Sequence, residues 1–372
     1  MLSKAFIPYK GYYTTPFCRY GKSFKDHNSI VLSAETSKQW LALNNIPTQL
    51  IDYIVYGTSV HQHHGFWAGP WSAAIMGAEH TTGEIISQAC TTGATSLFRA
   101  ASNIEVGLNE VNYCLVSDRT SNSPTVTWGE NDNIEHWVQD NFEFDPWGKT
   151  SMLQTAENVA KKYNVTKSHL DEVTACRYEQ YDNSDFGYMF PVGDVTRDEG
   201  PKKINLKRLN RLKPVLEGGI HSVGNLTYPA DGHCGILVTD KQIANDLNND
   251  ATIQVVSYAY SKCGISLMPE AALSAADKAL KDAGITIDDV KVINQHNAFA
   301  VNDIILADHF NIDVFKMNNY GSPLVYGHPQ APVLSRLIIE GIEECVLLGG
   351  GYVLVCGAAA GDTGAAVVLK VL

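Results

Sequence analysis

Several features are missing from this 372-residue chain, and each absence removes a class of function. No stretch is long and apolar enough to span a bilayer, and the opening MLSKAFIPYKGYY has no apolar core of signal-peptide length. The final LKVL is not a peroxisomal address. We therefore expect a cytoplasmic protein. Positive charge is scarce: 28 Lys and Arg against 40 Asp and Glu give a formal net charge of −12. Such a surface argues against nonspecific binding to nucleic acid or to anionic membranes. One local basic run stands out, Lys202, Lys203, Lys207, Arg208, Arg211 and Lys213. The eight cysteines are dispersed and none forms a Cys-x-x-Cys pair. That spacing disfavours structural zinc and reads as free thiols in a reducing compartment. No Gly-x-Gly-x-x-Gly follows a strand and no phosphate-cradling loop is present; the glycines at 349–351 precede a strand and read as a turn.

What is present is an α/β pattern. Nearly half of the residues are apolar and under a fifth are charged, enough for two or three packed units. Residues 48–60 read as a helix tail entering a buried strand, and 84–89 as a second short strand. From Thr91 apolar residues recur at helical spacing as far as Gly107, and 111–118, VNYCLVSD, form another buried strand. Strand, helix, strand is the unit of a sheet with buried parallel strands. Residues 119–227, rich in Asn, Asp, Lys and aromatics, read as an insertion that carries helices over the sheet. The pattern resumes at 233–240, continues through 252–261 and a helix closed by Gly284, and ends in a hairpin turned at Gly361-Asp362. The expected domains are 1–118 with 228–250, the insertion 119–227, and 251–372. Sites in such sheets form beyond the carboxyl ends of strands.

Four residues at such positions could carry chemistry. Cys90 lies where a strand gives way to the small, hydroxyl-rich helix start TTGATS. A helix N-terminus lowers a thiol pKa and stabilises an oxyanion, although most buried cysteines are inert. Cys356 ends the strand YVLV and enters GAAAGDTG, where local pattern alone favours a hairpin cysteine that fits by size. His328, in YGHPQAP, is held extended by the following proline and is placed to serve a thiol as base. His296, in NQHNAFA, or its neighbour Asn297, could polarise a carbonyl oxygen. His61, His63 and His64 lack an acidic partner and read as a loop, not a metal site.

Taken in order, longer segments resemble the thiolase family: QACTTGATSLFRAASNIEVGLNEVNYCLVSD, TAENVAKKYNVTKSHLDEVTACR, RLKPVLEGGIHSVGNLTYPADGHCGILV, and then HNAFA, GHP and CGAAAGDTGAA. With TTPF near the N-terminus, the resemblance covers nearly the whole chain. It implies two duplicated α/β halves, each a mixed five-stranded sheet, in a layered αβαβα arrangement with an insertion domain. It implies acyl transfer to and from CoA, with Cys90 as the acylated nucleophile and His328 as its base. Cys356 matches the second cysteine that works on the α-carbon. His296 falls where many thiolases have asparagine, and the His296-Asn297 box is similar to that of sterol-carrier-type thiolases. The backbone N–H groups of Cys90 and Ala358 match an oxyanion hole. Thr227 and Asn225 match positions near the CoA pantetheine arm, and Lys202 and Lys203 the site of the CoA phosphates. The resemblance implies no metal and no permanent cofactor, with CoA and acyl-CoA as substrates and a homodimer or larger assembly.

The sequence also departs from the family. The segment that usually carries an arginine is HHGFWAGPW, and the cysteine-box glycines are replaced at Ala358, Ala359 and Ala360. The aromatic run 61–71 suggests walls for a bulkier acyl group than acetyl. Three readings stay open: a thiolase; a condensing enzyme of the ketoacyl-synthase kind, with one cysteine and a histidine pair; or a noncatalytic subunit of a hetero-complex. Some histidine-type thiolases work with a small zinc-ribbon/OB-fold partner, and such a subunit is compatible with the departures.

Overall fold

The computed structural model describes residues 1–129, 133–182, 184 and 186–372. Three short strands, β1 (Phe6–Pro8), β2 (Tyr12–Thr14) and β3 (Cys18–Arg19), open the chain. Asn28 then caps α1 (Ser29–Leu43), its side chain accepting from the N–H groups of Ile30 and Val31. There follow β4 (Tyr53–Gly57), α2 (Ala68–Met76), β5 (Thr82–Ile86), α3 (Thr92–Glu105) and β6 (Val111–Arg119). The insertion carries a hairpin, β7 (Thr125–Trp128) and β8 (Asn133–His136), and the helices α4 (Trp137–Glu143), α5 (Met152–Lys162), α6 (Lys167–Asp182) and α7 (Leu206–Leu209). The remainder is β9 (Ala230–Thr239), α8 (Lys241–Leu247), β10 (Thr252–Lys262), α9 (Ala271–Ala283), β11 (Val290–His296), α10 (Ala300–Phe310), α11 (Pro323–Tyr326), α12 (Val333–Leu347), β12 (Gly351–Ala359) and β13 (Thr363–Val371). No helix among the described residues is long and apolar enough to cross a membrane.

Strand alternation sorts the core into three apolar sheaths, and these define five layers. Tyr113 and Leu115 of β6 face α1 and α2, whereas Cys114 between them faces the opposite way. Val353 and Val355 of β12 join Cys114 in a central sheath built on α3 and α12. Leu354 and Cys356 face a third sheath with α9 and α10. Helices, sheet, helices, sheet, helices is the αβαβα stack that the family resemblance implied. The two sheets are not separate, however. Phe6 of β1 pairs with Thr239 of β9 and with Gln254 of β10, so the strands run in one order, β11-β12-β13-β10-β1-β9-β6-β4-β5.

Two close contacts fix the middle layer and the insertion. A Cβ on Gly93 would lie 2.5 Å from Ser335 Oγ and 2.6 Å from Ser335 N, so only glycine lets the start of α3 touch the start of α12. The insertion is tied to the second half by two ion pairs without solvent exposure, Arg177 with Asp303 and Asp198 with Arg336.

Candidate active site

Cys90 lies in a single 3-10 turn, Ala89–Thr91, between the end of β5 and α3. Ala89 before it takes φ of +45°, a left-handed conformation that costs a non-glycine residue about 1 kcal/mol or more. The elbow turns the Cys90 sulfur toward the loop before α12. There His328 places Nε2 3.2 Å from Cys90 Sγ, and His296, at the end of β11, places Nε2 3.1 Å from His328 Nε2. The three side chains are buried.

The hydrogen bonds at the outer nitrogens assign the protons. His296 Nδ1 lies 3.2 Å from the Ala358 carbonyl, which only accepts, so Nδ1 carries the hydrogen and Nε2 is a free lone pair. His328 Nδ1 accepts from the Gln330 N–H at 3.1 Å, so its hydrogen is on Nε2. That one hydrogen faces two acceptors, the Cys90 sulfur and the lone pair of His296. Burial holds all three groups neutral. It pushes the Cys90 thiol up to about 12 and His296 down to about 4, and it drives His328 well below the ordinary imidazole range, with His296 adding to the effect. The N–H groups of Cys90 and Ala360 oppose the shift at the sulfur. The expectation of a thiol lowered simply by the helix start is therefore corrected: desolvation outweighs those two donors, and the resting state is a neutral thiol beside two neutral imidazoles.

Cys90, His296 and His328 are also the one group of His, Cys and acidic side chains among the described residues whose donor atoms converge closely enough for a cation. With Nε2–H of His328 pointing at that centre, the arrangement suits proton transfer better than ligation.

Two cavities meet at Cys90. One, of about 290 Å³, is mostly apolar and includes Val138, Phe142, Leu153, Met268 and Phe299 with Cys90, His296 and His328. The other, of about 210 Å³, is lined by Ser59, Trp137, Asn141, Gln330 and Ala360. Phe142 and Met152 border both, so α4 and α5 of the insertion form the wall between them.

Several sequence expectations fall elsewhere. Cys356 does not join the group: it sits on the face of β12 turned to α9 and α10, without exposure. The β12 position next to His296 is Gly357, where a Cβ would lie 2.8 Å from that of His296. Ala358 contributes its carbonyl, and the backbone that favours the Cys90 thiolate is that of Ala360. The Asn297 amide donates to Asp303 Oδ2 at 2.7 Å and is held away from the cavities. Asn225 is fully buried, its amide donating to Asp171 and its oxygen accepting from the Ser222 N–H. Thr227 does line the larger cavity, with its hydroxyl on the Pro323 carbonyl. Lys202 and Lys203 border a separate depression with Tyr181 and Arg197 that shares no lining residue with the Cys90 cavities. Nor do the 61–71 aromatics wall the site: Phe66 is 83% and Trp67 58% exposed, and His61 packs on Trp137 from outside. Part of the walls comes from the insertion, whose Trp137, Phe142 and Met152 the sequence does not single out, and Ala360 stands out there only as a replaced glycine. An amphipathic TAENVAKK was the available signal for α5.

Comparison with known proteins agrees with this architecture. The model of the thiolase N-terminal domain matches residues 11–242 and that of the thiolase C-terminal domain residues 249–371. Human mitochondrial 3-ketoacyl-CoA thiolase is 24% identical over 96% of each chain. An acetyl-CoA acetyltransferase of Yarrowia lipolytica is 25% identical, covering 96% of this chain and 94% of its own. Among solved structures, the human mitochondrial 3-ketoacyl-CoA thiolase superposes with a TM-score of 0.92 at 22% identity, over 100% of this chain and 99% of that one. The same enzyme in complex with CoA gives 0.90 at 23% identity, over 99% and 98%.

Proposed function

This chain belongs to the thiolase family of acyltransferases, and on that footing we propose that it cleaves a 3-oxoacyl-CoA with CoA, or runs the reverse Claisen condensation, through an acyl group carried on Cys90. The observation that carries the reading is the sulfur of Cys90 at the junction of two cavities, beside two histidines of opposite tautomer.

The chemistry follows from that arrangement. The thiol gives up its proton to the pair, His328 receiving it on Nε2 as it hands its own hydrogen to the lone pair of His296. The His296 imidazolium keeps its Nδ1–H on the Ala358 carbonyl, and the Nε2–H of His328 is left facing the thiolate. The thiolate attacks the thioester or 3-oxo carbonyl, whose oxygen takes the N–H groups of Cys90 and Ala360. A well-placed donor of this kind contributes about 3–4 kcal/mol to the transition state. In cleavage, the α-carbanion that leaves takes up the proton; in condensation, a base removes one from the α-carbon of the second thioester. With Cys356 facing another layer, we assign that proton to His296. CoA is the acceptor thiol, entering beside Thr227, in keeping with a relative solved with CoA bound.

The acyl group we propose is larger than acetyl, because the cavity beside the sulfur is about 290 Å³ and apolar. β5 ends the order of strands with Ile85 exposed, which supports a homodimer formed on that edge. Eight unpaired cysteines fit a cytoplasmic location.

A panel of 3-oxoacyl-CoA esters of increasing size, assayed for CoA-dependent cleavage with wild type and Cys90→Ser, tests this reading. Cleavage of larger esters by wild type alone supports it; equal cleavage by the variant refutes it. The histidine pair and the displaced Cys356 favour one second reading, a condensing enzyme of the ketoacyl-synthase kind. Condensation without any CoA-dependent cleavage would select it. A chain inert in both assays until a zinc-ribbon/OB-fold protein is added would be a subunit of a hetero-complex.

A further inference from the structure

One carboxylate outside the reacting group joins the walls of the site. Asp118, in β6, is fully buried, and none of its hydrogen-bond partners is a cation. Its Oδ1 accepts from Thr58 Oγ1 at 2.7 Å and from the N–H groups of Ser59 and Val60, each at 2.9 Å. Its Oδ2 accepts from Ser59 Oγ at 2.6 Å and from the Ala331 N–H at 2.8 Å. The contacts to Ala331 and Ser59 lead to the chemistry. The Ala331 carbonyl accepts from the Gly93 N–H at 3.1 Å, in the first turn of the helix that follows Cys90. Gln330, held at φ of +73°, gives its N–H to His328 Nδ1, and its side-chain oxygen lies 2.9 Å from Ser59 Oγ. The Ser59 carbonyl accepts from the Trp137 indole at 2.9 Å, on the insertion wall.

We propose that Asp118 is a positioning residue for the histidine pair: by gathering residues 58–60 and 330–331 onto one carboxylate, it keeps the Gln330 N–H on His328 Nδ1 and so keeps the His328 hydrogen on the nitrogen that faces Cys90. The inference rests on reading Cys90 as the nucleophile. Without the carboxylate, the strained Gln330 is free to relax, the N–H leaves Nδ1, and His328 loses its tautomer. Every partner of Asp118 is a donor, so an asparagine cannot replace it: whichever way the amide sits, its NH2 meets donors.

A pH signature follows. Burial pushes Asp118 up to about 6 against the pull of its donors. Below that pH one oxygen carries a proton and stops accepting, so the loop loosens as pH falls. The titratable groups that face this carboxylate are the Tyr56 hydroxyl from β4 and the Cys90 thiol. Asp231 and His233 lie across the strand pair on β9, and Arg119 follows it with its guanidinium on the carbonyls of Lys25 and His27.

The test uses the full chain, with two readouts: the rate of Cys90 alkylation by iodoacetamide, which needs no acyl substrate, and kcat and KM for a 3-oxoacyl-CoA. For Asp118→Asn with wild-type circular dichroism, we expect kcat to fall about a hundredfold with KM changed less than about threefold. The acid limb of its alkylation profile, the extra loss of rate below about pH 6 beyond the steady decline in thiolate, should vanish. Ser59→Ala keeps the charge but removes one donor, so it should raise the Asp118 pKa and move the acid limb to higher pH. These shifts in alkylation support the role even if no acyl transfer is found, an outcome that would count against the acyltransferase reading alone. A folded Asp118→Asn with wild-type kcat and an unchanged acid limb overturns the proposal. If that variant does not fold, an unmoved limb in Ser59→Ala overturns it.

Discussion

The Nε2 atoms of His296 and His328 face each other at 3.1 Å, one without and one with a hydrogen, because the Ala358 carbonyl and the Gln330 N–H hold their outer nitrogens in opposite states. This pairing makes His296 the free base of the resting site and His328 the donor beside the sulfur.

Replacing His296 with alanine removes that lone pair. We expect overall turnover to fall about a hundredfold to ten-thousandfold, the range for a lost acid–base group. Conservative replacement by asparagine restores part of it if oxyanion contact also matters. Single-turnover acylation and steady-state kcat, measured in parallel, locate the loss.

Cys356→Ala behaves as a core substitution. The thiol packs against α9 and α10 without exposure, so its removal should cost about 1–2 kcal/mol of stability. Activity per folded molecule should stay within about threefold of wild type, since the side chain touches no reacting atom. Chemical denaturation and initial rates check both halves, and a loss of all turnover with normal folding would return Cys356 to the site.

Phe142→Ala enlarges the apolar cavity beside Cys90. The ratio of kcat/KM for a long-chain over a short-chain 3-oxoacyl-CoA should rise about tenfold. An unchanged ratio would mean that the acyl chain lies elsewhere.

The thiol of Cys90 is raised to about 12, which means that less of it is thiolate at neutral pH and more as pH rises. Its alkylation rate in the absence of substrate should therefore climb through pH 9 without levelling off. A plateau between pH 7 and 8 would show a thiolate already formed at rest.

Gly93→Ala drives a methyl into Ser335 where α3 meets α12. We expect about 1–3 kcal/mol of destabilisation, read as a lower denaturation midpoint.

Much of this was legible in the sequence where the signal is local. The strand-helix-strand from 84 to 118 and the final hairpin follow from hydrophobic period and turn residues, and the same patterns put Cys90, His296 and His328 at element ends. Cys356 shows the limit. A strand sends neighbouring residues to opposite faces, so a motif matched one position out of phase moves its side chain to another layer. The Ala360 donor is backbone and leaves no mark in residue type. Asp118 was visible only as an acidic end to an apolar strand, and its five donors come from two distant loops. The single continuous sheet depends on β1, three residues pairing with strands more than 200 positions away. The acyl wall was sought at 61–71 because those aromatics cluster in sequence, whereas docking of the insertion brings Trp137, Phe142 and Met152 to the sulfur.

The most direct measurement is peptide mass spectrometry after brief incubation with an acyl-CoA, on wild type, Cys90→Ser and Cys356→Ala. The account predicts an acyl adduct on Cys90 in wild type and in Cys356→Ala, and none in Cys90→Ser. An adduct that survives Cys90→Ser, or one that disappears with Cys356→Ala, would contradict it.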